Sequence, residues 1–198
     1  MLNFELNPKS HQMVRQIDKS KWFHVSIILL IASSIRIIYF LLDKSSPLFL
    51  YPVIDETEFL KIGNYIAEEG FVYPFHFLHP PLYSYFLGIL ISAGLSLKGL
   101  LVSQMILAVG SCVFLYLTLS TFNRNIALIT SLIWAIYPLE LFVETRFLSE
   151  NLFTFLSILL AYVLITLENS RKQMIWAGVL TALMIITKTQ FILFFIAW

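Results

Sequence analysis

Charge is spread so unevenly along this chain that long stretches carry none. Between residues 80 and 123 the single charged side chain is Lys98. The 198 residues include 13 Lys or Arg and 12 Asp or Glu; 13% are charged, 59% hydrophobic and 16% aromatic. Soluble domains run at about 25% charged and about 45–50% apolar, so an ordinary soluble fold is excluded. The uncharged runs read as membrane spans. A net charge of +1 with no basic stripe excludes disorder and nucleic-acid binding. The lone Cys112 sits in an apolar run, which excludes a disulfide framework and a cysteine metal site and predicts a small buried side chain. The expected fold class is all-α: a polytopic transmembrane helix bundle with an amphipathic interfacial helix in its first external loop.

The first span is predicted over 24–42, long enough for the hydrocarbon core. Residues 1–23 are polar, too long for a signal n-region and followed by no small-residue cleavage site, so they read as a cytoplasmic segment before an uncleaved anchor. Lys9, Arg15, Lys19 and Lys21 precede the span against Glu5 and Asp18, which puts the N-terminus in the cytoplasm and residue 43 outside. Residues 43–79 form the external loop, and six of its eight charges are acidic. Within it, apolar residues at 59, 62 and 66 mark one face of a short helix over Asp55–Glu69, ended by Gly70 and lying at the outer interface. From Tyr73 to Tyr85 come five aromatics, two His and three Pro, ending in the His79-Pro80-Pro81 corner.

Further apolar runs follow at 81–97, 99–122, 126–142, 151–167 and 174–187, with another begun at 189. If every run crossed, Glu140, Glu144 and Glu150 would lie inside and Arg171-Lys172 outside, against the cation bias. One run is therefore expected not to cross. Gly110-Ser111 near the middle of 99–122 marks that run as two half-length helices entering and leaving on one side. The whole of 24–198 then forms one transmembrane module, without internal repeat or linker. It is expected to be the N-terminal part of a longer membrane protein, because the last run stops at Trp198.

Ionisable groups in or beside a bilayer are costly and each needs a reason. Arg36, inside the outer end of the first span, either snorkels to the headgroups or faces a cavity that binds an anion. Asp55 and Glu56 follow the Tyr51-Pro52 turn and suit an N-terminal helix cap; a carboxylate held there also suits a general base for a hydroxyl. Arg146 and Glu150, four apart, would share a helix face as a local ion pair, or Arg146 would offer its guanidinium fork to a phosphate with Glu150 orienting it or a metal. Lys188, flanked by Thr187 and Thr189 at the outer end of a span, suits anion binding. His76 and His79 read as interfacial hydrogen-bonding groups or as metal ligands. Together these residues describe an outward-facing pocket for a ligand with an anionic head and a greasy tail.

Three stretches carry a family resemblance: Arg36 with Asp55-Glu56-Thr57-Glu58-Phe59; the corner His79-Pro80-Pro81-Leu82-Tyr83; and Tyr137-Pro138 followed by Thr145-Arg146-Phe147-Leu148-Ser149-Glu150-Asn151. With Gly178 to Thr187-Lys188, they resemble the multi-spanning GT-C glycosyltransferases. The likeness is to the dolichyl-phosphate-mannose protein mannosyltransferase superfamily, which includes the aminoarabinose lipid A transferases. It covers roughly residues 28–195. Glu150 stands where many members have Asp, and its spacing from Arg146 differs from the protein mannosyltransferase form.

The resemblance implies a membrane glycosyltransferase that moves a sugar from a polyprenyl-phosphate donor to a hydroxyl of a lipid, glycan or protein acceptor, with inversion, on the exoplasmic face. It implies catalytic roles for Asp55 and Glu56, with Asp55 as base and Glu56 in support. Phosphate binding falls to Arg146, Lys188 and Arg36, and supporting roles to Glu150 and His79. No cofactor is required by the residues; a divalent metal is left open. Membrane lipids surround the module, and the cation bias fits a bacterial inner membrane. The rival expectations are a non-catalytic polytopic protein, such as a scaffold or truncated transferase, and a lipid transporter.

Overall fold

The computed structural model describes residues 8–46, 49, 51–167 and 170–193, the side chains of 8–18 and 170 aside. The first seven residues of the expected cytoplasmic segment, and 194–198 of the run begun at 189, lie outside the described residues. Among the described residues the chain forms eight α-helices and no strand: Pro8–Asp43 (α1), Asp55–Glu69 (α2), Leu82–Ser92 (α3), Leu97–Leu119 (α4), Arg124–Ala135 (α5), Pro138–Glu144 (α6), Ser149–Thr166 (α7) and Ser170–Ile185 (α8). A short 3₁₀ turn, Thr189–Phe191, follows α8. Three stretches are long and apolar enough to cross a membrane: Lys19–Asp43 within α1, α4 and α7. The bent pair α5–α6 makes a fourth if it counts as one span. The chain is a polytopic helical membrane protein.

Side-chain pairs give the direction of each helix. His24 and Tyr116 meet at 3.1 Å, while Arg36 and Met105 line one groove, so α1 and α4 run antiparallel. Asn151 bonds to Gln104, and Phe114 packs on Tyr162, so α4 and α7 run parallel. Gln173 of α8 reaches Leu164 at the far end of α7, while Phe191 packs on Phe153 near its start. Residues 43, 144–150 and 188 therefore gather at one end of the bundle. Residues 24, 116, 164 and 173 gather at the other.

The run that fails to cross is not 99–122. That segment is the single continuous helix α4. Gly110 does not break it, because the missing side chain serves close packing: a Cβ there would lie 3.1 Å from the Phe155 ring of α7. Ser111 turns its hydroxyl back to the Leu107 carbonyl, as serine commonly does inside a span. The short element is α3. Its 11 residues extend about 16 Å at about 1.5 Å each, roughly half the hydrocarbon core. The expected 126–142 run is likewise not straight: α5 and α6 meet at 55°. Pro138 opens α6 without an N–H to give and holds Tyr137 extended, so the helix cannot run through.

Helix α2 occupies the span that its apolar spacing predicts, with Phe59, Ile62 and Ile66 buried, and Gly70 ends it at φ 115°. Its buried face lies on α3 in parallel register: Phe59 meets Tyr83 edge-on and Gly63 meets Leu87. Two glycines allow this approach. A Cβ on Gly88 would stand 2.8 Å from Ile66 Cγ2 and 3.0 Å from the Gly63 carbonyl.

Inside the bundle there is little hydrophobic drive between helices, so close packing and internal hydrogen bonds hold it together. Val25, Ile28 and Ala32 of α1 pack with Tyr116 and with Cys112, Ala127 and Ala135, the last three small residues that let backbones come near. Cys112 is buried, as expected. The polar centre is Gln104 of α4, fully buried. It accepts from the Tyr83 hydroxyl at 2.6 Å and donates to the Arg146 carbonyl at 2.9 Å. Its own backbone carbonyl accepts from Asn151 at 2.8 Å. One residue, through its side chain and its carbonyl, thereby joins α3, α4, the α6–α7 turn and α7.

Two expectations follow for protein in lipid nanodiscs. Gly88→Val forces α2 from α3 and should lower stability by about 1–3 kcal/mol, read as a drop in thermal midpoint. Gln104→Leu strands the Tyr83 hydroxyl and the Arg146 carbonyl and should cost about 1–3 kcal/mol for each group left unpaired. An unchanged midpoint in Gln104→Leu would remove the amide from its central position.

Candidate active site at one end of the bundle

Asp55 is the first residue of α2, half-exposed, and it follows an unusual backbone. Ile54 has φ 49°, a region that β-branched residues rarely adopt, at a cost of order 1–3 kcal/mol. The turn is held by Glu56, whose Oε2 accepts from the Val53 N–H at 2.9 Å. Glu56 is buried and ties the loop, whereas Asp55 points away from that bond. Neither Asp55 nor Glu56 caps α2 from the usual position: Ile54 stands there, without a side-chain bond.

Asp55 Oδ1 lies 3.5 Å from His79 Nε2. The imidazole is placed by the Pro80-Pro81 corner that opens α3 and rests on Phe59, ring centres 5.1 Å apart. The pair lines a cavity of about 260 Å³ together with Glu150, Thr187 and Lys188. A second cavity of about 250 Å³ also contains Asp55, with Glu56, Phe142 and Arg146. Asp55 and Leu148 belong to both. The carboxylate thus shares one cavity with the lysine and the other with the arginine.

The two cations have carboxylate partners of their own. Lys188 Nζ donates to Glu150 Oε1 at 2.6 Å. Arg146 Nη2 approaches Asp43 Oδ1, at the end of α1, at 3.7 Å, and its guanidinium lies 5.2 Å from the centre of the Phe142 ring. The helical pairing of Arg146 with Glu150 does not occur. Helix α7 starts only at Ser149, so Arg146 sits in the turn before it and leaves in another direction. Glu150 falls in the first turn of α7, where a carboxylate complements the helix dipole.

Arg36 is not among the residues lining these two cavities. It is 2% exposed on the inner face of α1, where Nη2 donates to Glu144 Oε1 at 2.6 Å and Nη1 to the Ala32 carbonyl at 3.2 Å. It neither snorkels nor stands open to an anion, because α6 brings a carboxylate to it at the depth where solvent is excluded. Its other neighbourhood is an apolar groove of about 270 Å³ between α1 and α4. His76 lies apart, in a wider cavity beside α2.

Asp43, Gln104 and Glu144 hold this end together and were not singled out from sequence. Gln104 was findable as an amide inside an uncharged run. The sequence marks Glu144 only through topology and Asp43 only as the start of the external loop, because their partners depend on which helices pack together. Among the described residues no three His, Cys, Asp or Glu groups converge as metal ligands; Asp55 and His79 approach each other as a pair.

What the arrangement offers chemically is a half-exposed carboxylate between a lysine and an arginine, at the end of a membrane bundle. The family model described as dolichyl-phosphate-mannose-protein mannosyltransferase matches residues 78–198, more than half of the chain. His79, Arg146, Glu150 and Lys188 fall within that match; Asp55 and Glu56 precede it. No curated protein and no solved structure gives a significant match. The chain belongs to the dolichyl-phosphate-mannose-protein mannosyltransferase family, membrane glycosyltransferases of the GT-C type.

Proposed function

We propose that the protein transfers a sugar from a polyprenyl-phosphate donor to the hydroxyl of a lipid, glycan or protein acceptor. The carrying observation is that two adjoining cavities share Asp55, one holding Arg146 and the other Lys188. Asp55 removes the proton of the acceptor hydroxyl as that oxygen forms its bond to the anomeric carbon. The bond from that carbon to the phosphate oxygen breaks, and its electron pair stays on the lipid phosphate. One displacement inverts the configuration. A phosphate leaving group, with a second pKa of about 6, leaves without a separate acid.

Arg146 and Lys188 stabilise the charge that grows on the leaving phosphate. The Arg146 fork suits two phosphate oxygens at once. Donor binding exchanges Asp43 and Glu150 for phosphate oxygens as partners of these cations. Glu56 acts by holding the loop at Val53, and His79 by orienting Asp55. Arg36 acts at a distance, through Glu144 and the α6–α7 turn. Lys9, Arg15, Lys19 and Lys21 precede the first span, and Arg171 and Lys172 lie toward the same end as Lys19 and Lys21. By the cation rule the site faces the exoplasm and the N-terminus the cytoplasm, in a bacterial inner membrane serving the cell envelope.

A second reading has one observation behind it: both cations are already paired with carboxylates, as in a purely structural bundle. Transfer assays separate the two. With a radiolabelled lipid-linked sugar in isolated membranes, Asp55→Asn should lower turnover by about 10²- to 10⁴-fold while insertion and thermal midpoint hold. Wild-type turnover in that variant would exclude the base. Arg146→Ala should lower kcat by about 10- to 100-fold, the equivalent of losing a charged hydrogen bond, with Arg146→Lys recovering only part. A rate independent of residue 146 would favour the structural reading.

A further inference from the structure

A cavity of about 750 Å³, larger than either of the two that hold Asp55, lies outside them. It lies between α2 and the 71–78 strap, and its volume is within the roughly 300–1,000 Å³ of small-molecule sites. Its walls combine the rings of Tyr65 and Tyr73 with Glu58, Glu68, Glu69 and Lys61. The two tyrosines meet edge-on, 5.2 Å between centres, and Tyr73 continues into Phe77 at 5.1 Å. The result is a fixed aromatic floor with carboxylates at its rim.

That lining selects by chemistry. Three carboxylates, against the Lys61 ammonium and the His76 imidazole, leave an acidic balance that disfavours phosphates and other anions. A purely aliphatic ligand would leave those charges desolvated without partners. A sugar ring meets both features, because its C–H face lies on an aromatic ring while its hydroxyls donate to carboxylates. The cavity also lies next along the chain to Asp55 and His79. Glu58 is one helical turn from Asp55 on the same face of α2, and Leu78 of the far wall precedes His79.

We infer that this cavity is an acceptor subsite for a neutral, hydroxyl-rich oligosaccharide, which enters along α2 and presents a hydroxyl to Asp55. The term acceptor rests on the transferase reading; sugar binding does not and is measured separately. The full chain in lipid nanodiscs is probed by saturation-transfer NMR with α-mannobiose, cellobiose and maltotriose, and with tetralysine and inorganic phosphate as counter-probes. At least one disaccharide or trisaccharide should give signal in the wild type. Tyr73→Ala should weaken it about tenfold, equivalent to about 1.4 kcal/mol. Tyr73→Phe keeps the ring and should retain it, which distinguishes loss of stacking from loss of fold. Glu58→Gln should weaken it as well. Asp55→Asn should bind sugar normally, so a failed base assignment leaves this result standing. Absence of signal from all three sugars, binding of tetralysine in their place, or wild-type sugar binding in Tyr73→Ala would each overturn the subsite.

Discussion

A buried amide inside a membrane bundle has to find its partners in protein, and the position of Gln104 shows what that requirement organises. Water is absent at that depth, so each end of the amide is worth a hydrogen bond that nothing else can replace. The oxygen takes the Tyr83 hydroxyl and the nitrogen takes the Arg146 carbonyl. The first bond fixes the start of α3, on which α2 rests through Phe59. The second fixes the turn from which the Arg146 side chain leaves. Asp55 and Arg146 are 91 residues apart in sequence, and this one amide relates the elements that carry them.

The bundle also uses ion pairs to seat its ends. Arg36–Glu144 is almost fully buried and pins α6 to α1; leaving either member alone there would cost several kcal/mol. Arg146–Asp43 is longer, at 3.7 Å, and still largely buried, whereas Lys188–Glu150 is as short, at 2.6 Å, but partly exposed. Arg146 and Lys188 both border the cavities that Asp55 lines, whereas Arg36–Glu144 is sealed on the inner face of α1. On the transferase reading, a cation that is to receive an anion needs a partner it can exchange.

Sequence made much of this legible, and the gaps have physical causes. Helix α2 could be placed because an interfacial helix has one wet face and one dry face, which leaves a period in the residues. Spans surrounded by lipid and protein carry no such period, so their number and breaks are harder to see. Gly110-Ser111 looked like a break because a glycine admits two explanations, a kink or a close neighbour, and only the position of Phe155 decides between them. The actual bend, at Tyr137-Pro138, had a stronger local cause in the proline. The cations and acids of the site were visible because charges are rare here. Their pairing was not, since it depends on where α7 begins. With Ser149 as the first helical residue, Glu150 turns to Lys188 while Arg146 stays in the turn beside Asp43.

The same physics explains why a carboxylate of this kind sits on a helix pair beside the spans rather than within one. A carboxylate on a span must be sealed by a cation, as Glu144 is by Arg36, and sealing removes it from exchange with a substrate. Helices α2 and α3 are too short to cross, so their polar ends can stay wet while Gly63 and Gly88 lock the pair together. The strained Ile54 and the Glu56–Val53 bond then start α2 at Asp55. The rigidity comes from the packed α2–α3 face, and the accessibility comes from its position at the end of the bundle. Asp55 has both because a non-spanning pair of parallel-packed helices holds it.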